Sequence, residues 1–263
     1  MRRVPPTVRQ RIASTPPCKP VGVDDDATGP SSGSAPEPAP GPLLASGRAA
    51  DVYDVGDGRV LRRYRPDGHD VEYEASVMRL VRDAGVNVPE VHHVGARDIV
   101  MERVDGPTMF ESLSAAPWKG LWHMRVLSSL QKKIAKVDAP PWMLASTADR
   151  SHRQSVLHLD LHPMNVILSQ RHGPMVIDWT NAAGGPAGFD AATSYVLMAT
   201  FSVDSPRDKA AQRVMVEAFR TGRGRSVIDP FLVAACDHRL ADPNTTVDER
   251  IAVGELRTRS SRE

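Results

Sequence analysis

The sequence predicts an α+β fold in two lobes, a small five-stranded antiparallel sheet with one helix over residues 43–105 and a mainly helical lobe over 106–263. Three observations predict it. Strand-like runs crowd residues 43–105, separated by turn signals such as Gly56-Asp57-Gly58. Apolar residues at helical spacing dominate after Gly106. The exception is Val156–Trp179, VLHLDLHPMNVILSQRHGPMVIDW, which reads as strand, loop, strand, tight turn, strand, with its polar residues where the strands end. Strands first and helices afterwards is the order of a segregated α+β architecture.

Composition excludes several classes. The 263 residues are enough for a packed core, and 41% hydrophobic with 25% charged residues is ordinary for a globular chain. A net charge of +1 makes no case for a nucleic-acid or membrane-surface partner. Cys18 and Cys236 fit no metal or redox spacing, so a reduced, cytoplasmic setting is the expectation. No apolar stretch follows Arg2-Arg3 as a secretory signal would require, and no run approaches the roughly 18 apolar residues of a membrane span. Residues 1–42 hold ten of the 22 prolines and the run Asp24-Asp25-Asp26. That composition buries too little apolar area to offset chain entropy, and a disordered tail is expected there.

From Leu43 the elements follow in order. Residues 50–55 and 59–64 are strand-like and flank the Gly-Asp-Gly turn. His69 to Arg82 reads as an amphipathic helix with Val71, Ala75, Met78 and Val81 or Leu80 inward, stopped by Gly85. Residues 88–91 and 98–104 are two further strands. From Trp118, the residues Leu121, Trp122, Leu127, Leu130, Ile134 and Val137 recur close to helical spacing, and the tryptophans are expected in the core. Pro140-Pro141 closes this helix, and Arg171-His172-Gly173-Pro174 is the expected turn of a later hairpin. Asn181 to Gly188 reads as a Gly-rich loop, Phe189 opens a helix, and residues 207–220 and 226–240 are helical on either side of a loop at 221–225. Asp248 to Glu263, dense in charge, is expected to fray.

The chemistry concentrates in the central stretch. His158, Asp160 and Asn165 fit H-x-D-x-x-x-x-N, the spacing of a kinase catalytic loop, and Met175-Val176-Ile177 delivers Asp178. Phosphoryl transfer needs a carboxylate to accept a hydroxyl proton, and hard oxygen donors to hold Mg²⁺ against the phosphates of ATP. Asp160 supplies the first, Asn165 and Asp178 the second. HLDLHPMNVIL followed by MVIDW resembles the aminoglycoside phosphotransferase and choline kinase family, whose members share a protein-kinase-like fold. The loop in that family usually reads H-G-D-x-H-x-x-N, and this chain has Leu159 at the glycine.

The resemblance implies further residues. Gly47, in Ala45-Ser46-Gly47-Arg48-Ala49, stands where a loop covers the phosphates, although it is not G-x-G-x-x-G. The cation that grips phosphate is usually Lys; here the strand reads Val60-Leu61-Arg62-Arg63, and Arg62 takes that place, with Arg63 on the opposite face. Glu72 and Glu74 both lie within reach of it, and Glu74-Ala75-x-x-Met78 matches the family's E-A-x-x-L. Met101-Glu102-Arg103-Val104-Asp105-Gly106 resembles the family's hinge, which implies adenine recognition by backbone between Glu102 and Val104. Phe189-Asp190 resembles the start of the helix whose Asp braces the catalytic loop.

The implied reaction is ATP-dependent phosphorylation of a hydroxyl on a small molecule. Residues 182–263 carry 11 acidic and 11 basic residues, which gives no support for a polycationic acceptor. The residues leave two other readings open. His158, Asp160 and His162 alternate, as a 2-His-1-carboxylate iron site on one strand face would. Arg62 in place of Lys fits a catalytically silent nucleotide-binding or scaffolding module.

Overall fold

The computed structural model describes residues 40–47, 49–66, 70–145 and 153–262. The Pro-rich segment therefore lies outside the described residues as far as residue 39, as do Arg48 and His69.

Strands β1 (Leu43–Ser46), β2 (Ala50–Gly56), β3 (Arg59–Tyr64), β4 (Val91–Val94) and β5 (Asp98–Glu102) form one sheet in the order β1-β2-β3-β5-β4, antiparallel throughout. The β2–β3 hairpin turns at Asp57, a positive-φ residue between two positive-φ glycines. β4 begins at Val91 rather than Val88, because Val88 is buried and its carbonyl accepts from Arg82 instead of joining the ladder. Helix α1 (Val71–Asp83) is capped by Asp70, whose side chain accepts from Tyr73 N, and ends on Gly85 at φ +87°. Its apolar stripe of Val71, Ala75, Met78 and Val81 is buried, and Glu74 is buried with it.

Beyond β5 the chain turns at Gly106, where φ is +136° and a Cβ would stand 2.5 Å from the Leu168 carbonyl oxygen. Only glycine fits so close a backbone approach. Helices α2 (Met109–Ala115) and α3 (Gly120–Ile134) follow, α2 opened by a Thr108–Glu111 capping box. The buried stripe of α3 is Met124, Leu127, Leu130 and Ile134, with His123, Ser128 and Gln131 buried beside it. Trp118, Leu121 and Trp122 were expected in this core, and that expectation is corrected: Trp118 is 79% exposed and Trp122 50%. The helix starts only at Gly120, so Trp118 sits on a 3₁₀ turn outside its register, and Trp122 instead meets the edge of the His123 ring.

Strand β6 (Ser155–Leu157) pairs with β9 (Ala183–Gly185), a strand inside the stretch expected to be a loop. β7 (Val166–Ser169) and β8 (Gly173–Val176) form a hairpin whose turn is residues 170–172, so Gly173 and Pro174 already lie in the strand. Helix α4 (Ala187–Thr200) is apolar on nearly every face and is packed by α5 (Pro206–Arg223), α6 (Arg225–Ile228), α7 (Leu232–Ala241) and α8 (Val247–Ser260). α5 runs on to Arg223, through the loop expected at 221, and Gly224 at φ +108° breaks it. The C-terminal stretch is not frayed. Thr246 and Glu249 form a capping box, Val253 and Leu256 are buried, and Arg257 pairs with Asp237 at 2.5 Å. Among the described residues no helix is long and apolar enough to cross a membrane.

Candidate active site

Three segments meet at one point: the second half of β3, the first turn of α1, and the loop after β8. Arg62 leaves β3 toward α1, and its Nη1 donates to Glu74 Oε1 at 3.0 Å. Its Nη2 donates to Asp178 Oδ1 at 2.7 Å and to Thr180 Oγ1 at 3.1 Å. Period-two alternation sends Arg63 to the other face, where its guanidinium binds Asp98 at 2.9 and 2.6 Å. Glu72 faces outward and pairs with Arg79, so Glu74 is the partner of Arg62.

Glu74 is 2% exposed and holds the site together. Besides Arg62, it accepts from Trp179 N at 3.2 Å and from Thr180 Oγ1 at 3.3 Å. Burial pushes its carboxyl up, Arg62 pulls it back, and the nearby Asp178 carboxylate adds to the rise; the net is a raised pKa. Burial acts the same way on Asp178, but there the Arg62 guanidinium and the Thr180 hydroxyl win, and its pKa is lowered. Burial alone would lower the pKa of Arg62, and the two carboxylates raise it.

Asp160 and Asn165 lie on the segment between β6 and β7. Asn165 Nδ2 donates to the Asp160 carbonyl at 2.8 Å and to Asp160 Oδ2 at 3.1 Å. With the nitrogen committed, the amide oxygen is the donor left for a cation. The hairpin ties the segments: Ile177 N donates to the Asn165 carbonyl at 3.0 Å, which carries Asp178 beside Asn165. Asp178 stands at φ +64°, a conformation that Asp tolerates better than most residues.

Leu159 occupies the family's glycine position at φ +63°. Such a conformation costs a branched side chain about 1–2 kcal/mol. Asp190, fully buried at the start of α4, holds it: its Oδ1 accepts from His158 N at 3.1 Å and Leu159 N at 2.7 Å. Gln131 on α3 donates to Asp190 Oδ2 at 3.1 Å and accepts from Arg223 Nε. The expectation that α3 and Asp190 support this loop is met. The Leu159 side chain packs in the core, which offsets the backbone cost.

An iron site at His158, Asp160 and His162 does not fit. His158 is fully buried, its Nε2 bonds the Ile177 carbonyl at 3.0 Å and its Nδ1 accepts from Asp160 N at 3.2 Å, so neither nitrogen is left for a metal. Among the described residues no group of three or more His, Cys, Asp or Glu could hold a metal ion. The groups that could hold a magnesium ion are the Asp178 carboxylate and the Asn165 amide oxygen, the hard oxygen donors that this cation takes.

Gly47 is exposed between β1 and β2, its N–H bonded to the Ala50 carbonyl at 2.9 Å. Glu102 ends β5 with its carboxylate on His172 Nε2 at 3.0 Å, and Val104 follows half-buried. Sequence reasoning missed Thr180 and Gln131. Thr180 had a signal, a hydroxyl two residues beyond an Asp. Gln131 had one too, a lone amide between the apolar positions Leu127 and Ile134. Trp179, part of the MVIDW motif, has its ring 4.6 Å from that of His158.

A family model described as "Phosphotransferase enzyme family" matches residues 100–231, half of the chain. A probable serine/threonine-protein kinase of Streptomyces coelicolor is 28% identical over 193 residues, 66% of this chain and 27% of that protein. The chain thus spans about a quarter of the length of this curated relative. Among solved structures, a thermostable mutant of aminoglycoside phosphotransferase APH(4)-Ia, complexed with AMP-PNP and hygromycin B, superposes with a TM-score of 0.59. It is 17% identical, over 83% of this chain and 93% of that one. ADP-bound aminoglycoside phosphotransferase APH(2'')-Ib gives 0.54 at 13% identity, over 81% and 90%. A choline/ethanolamine kinase family protein of Mesorhizobium loti gives 0.50 at 17%, over 84% and 87%. These likenesses give the chain a protein-kinase-like fold, and by its catalytic-loop sequence and the matched residues it belongs to the phosphotransferase enzyme family.

Proposed function

We propose that this protein transfers the γ-phosphoryl group of ATP to a hydroxyl of a small molecule. The observation that supports the reading is the cluster of Arg62, Glu74 and Asp178, tied through the bond from Ile177 N to the Asn165 carbonyl to the loop on which Asn165 bonds Asp160. In this reading residues 43–105 cover the nucleotide and residues 106–263 supply the catalytic loop and the acceptor site. Adenine is bound by backbone between Glu102 and Val104, Gly47 lies in the loop over the phosphates, and Arg62, steadied by Glu74, grips them. Asn165 and Asp178 hold Mg²⁺, which neutralises charge on the phosphates. Asp160 orients the acceptor hydroxyl and takes its proton as the new P–O bond forms and the bond to the β-phosphate breaks, releasing ADP. Rate enhancement comes from positioning and charge rather than covalent chemistry.

One observation favours a second reading, a silent nucleotide-binding module: Arg62 itself bonds the Asp178 carboxylate that a metal requires. A pair of variants separates the two. Asp178→Asn loses Mg²⁺-dependent ATP affinity together with turnover, whereas Asp160→Asn keeps ATP binding and loses most of the slow ATP hydrolysis. Wild-type protein with neither Mg²⁺-dependent ATP binding nor hydrolysis would refute the kinase reading.

A further inference from the structure

Around the loop between β6 and β7, several exposed side chains are large and apolar. Met164, directly before Asn165, is 38% exposed. α2 packs against that same turn and presents Phe110 at 37% exposure. Phe201, at the end of α4 and 42% exposed, meets Phe110 edge-on with ring centroids 5.8 Å apart. The surface continues along α2: Leu113, one turn beyond Phe110, lines a groove of ≈ 370 Å³ shared with Trp118, Leu121 and Met215. Leu113 is three residues beyond Phe110 on α2, a rise of about 4.5 Å, so the groove begins about one helical turn from Phe110. Gln212 of α5 clamps the end of α4 by donating to the Phe201 carbonyl at 2.7 Å, which fixes the two walls relative to each other.

The charges beside this strip are not arranged for a cation. Glu111 is held by Thr108 N and Oγ1 at 2.7 and 2.9 Å, and Asp208 by the Ser205 hydroxyl at 2.6 Å, both in helix caps. Lys119 on the 3₁₀ turn and Arg207 and Lys209 at the start of α5 are exposed, and Asp204 is the one further carboxylate of the loop after Phe201. A patch of large exposed apolar groups leading away from a catalytic loop is a ligand surface by its chemistry.

Resting on the phosphotransferase reading, we propose that the acceptor is a hydroxyl compound with an apolar face several carbons long and at most one positive charge, which lies across Met164, Phe110 and Phe201 toward the Trp118 groove. Recognition is by apolar contact and ring stacking, and a polycation is disfavoured.

The test uses the full chain with Mg²⁺ and AMP-PNP, titrated calorimetrically with methyl, butyl and octyl β-glucoside below the micelle threshold, and with streptomycin and hygromycin B. Each methylene seated on the strip contributes about fourfold, the equivalent of about 0.8 kcal/mol. Octyl glucoside is expected to bind at least tenfold more tightly than methyl glucoside, and more tightly than either aminoglycoside. Phe110→Ser and, as an independent exposed position, Phe201→Ser should each remove most of that difference while leaving AMP-PNP affinity unchanged. A flat alkyl series with intact nucleotide binding overturns this inference alone, as does tighter binding of the polycations or an octyl preference that survives both variants. Loss of nucleotide binding by the wild-type chain overturns the kinase reading and the inference with it. Val214 is exposed and lines the same groove, and a dimer that dissociates in Val214→Glu would assign the strip to a second copy and also overturn it.

Discussion

Replacing Arg62 by Met removes the cation shared by Glu74 and Asp178 while keeping an unbranched stem as long as the arginine's out to Nε. Arg62 and Glu74 side chains are 11% and 3% exposed, so water cannot take over the lost partner. Removing one member of such a buried pair costs about 3–5 kcal/mol. Glu74 keeps its bonds from Trp179 N and Thr180, which puts the expected loss near the lower end, about 3 kcal/mol. For a chain of this size that is a fall in Tm of roughly 6–12 °C. The sign with pH follows from the two carboxyls. Glu74 already has a raised pKa and rises further without Arg62, so the folded variant binds more protons and gains stability as pH falls through that value. Asp178 has a lowered pKa in the wild type, a contribution present above its ordinary value and lost on acidification; the variant never has it. The deficit is therefore greatest at neutral pH and shrinks toward acid pH. Urea denaturation from pH 7 down to pH 4 measures it, and the double variant Arg62→Met/Glu74→Gln should recover a good part. A loss under about 1 kcal/mol at pH 7, or a deficit that grows on acidification, would refute this account of the cluster.

Two other perturbations test the supporting shell. Leu159→Gly relieves about 1–2 kcal/mol of backbone cost but deletes a core side chain worth about 3–4 kcal/mol with its cavity, so Tm should fall by roughly 2–12 °C, and a rise would show that the strain outweighs the packing. Cys236 is fully buried and its thiol is pushed up to about 12, so iodoacetamide at pH 8 should leave it unlabelled in the folded chain and label it in guanidinium, as peptide mapping would read; labelling of the native chain would contradict the packing of α7.

The sequence by itself carried the family's motif and named the residues proposed for the chemistry. The spacing of His158, Asp160, Asn165 and Asp178 is local, and a strand-turn-strand can only deliver them in that order. Alternation on β3 likewise separates Arg62 from Arg63, and the matched residue types on α1 point to Glu74. The order of strands and helices, and the five-stranded sheet, were legible because period-two and period-3.6 patterns are properties of short windows. What the tertiary structure decided is whatever depends on distant partners. Leu159 can hold a left-handed backbone because Asp190, 31 residues away, accepts its N–H and the core receives its side chain. The charged C-terminal helix is ordered because Val253 and Leu256 find a buried surface and Arg257 finds Asp237, neither of which charge density reveals. Trp118 and Trp122 fit an apolar period yet lie exposed, because periodicity identifies a stripe and only packing decides which side chains it covers. Arg62 on Asp178 spans 116 residues, and only the closed fold brings that cation and that carboxylate into one bond.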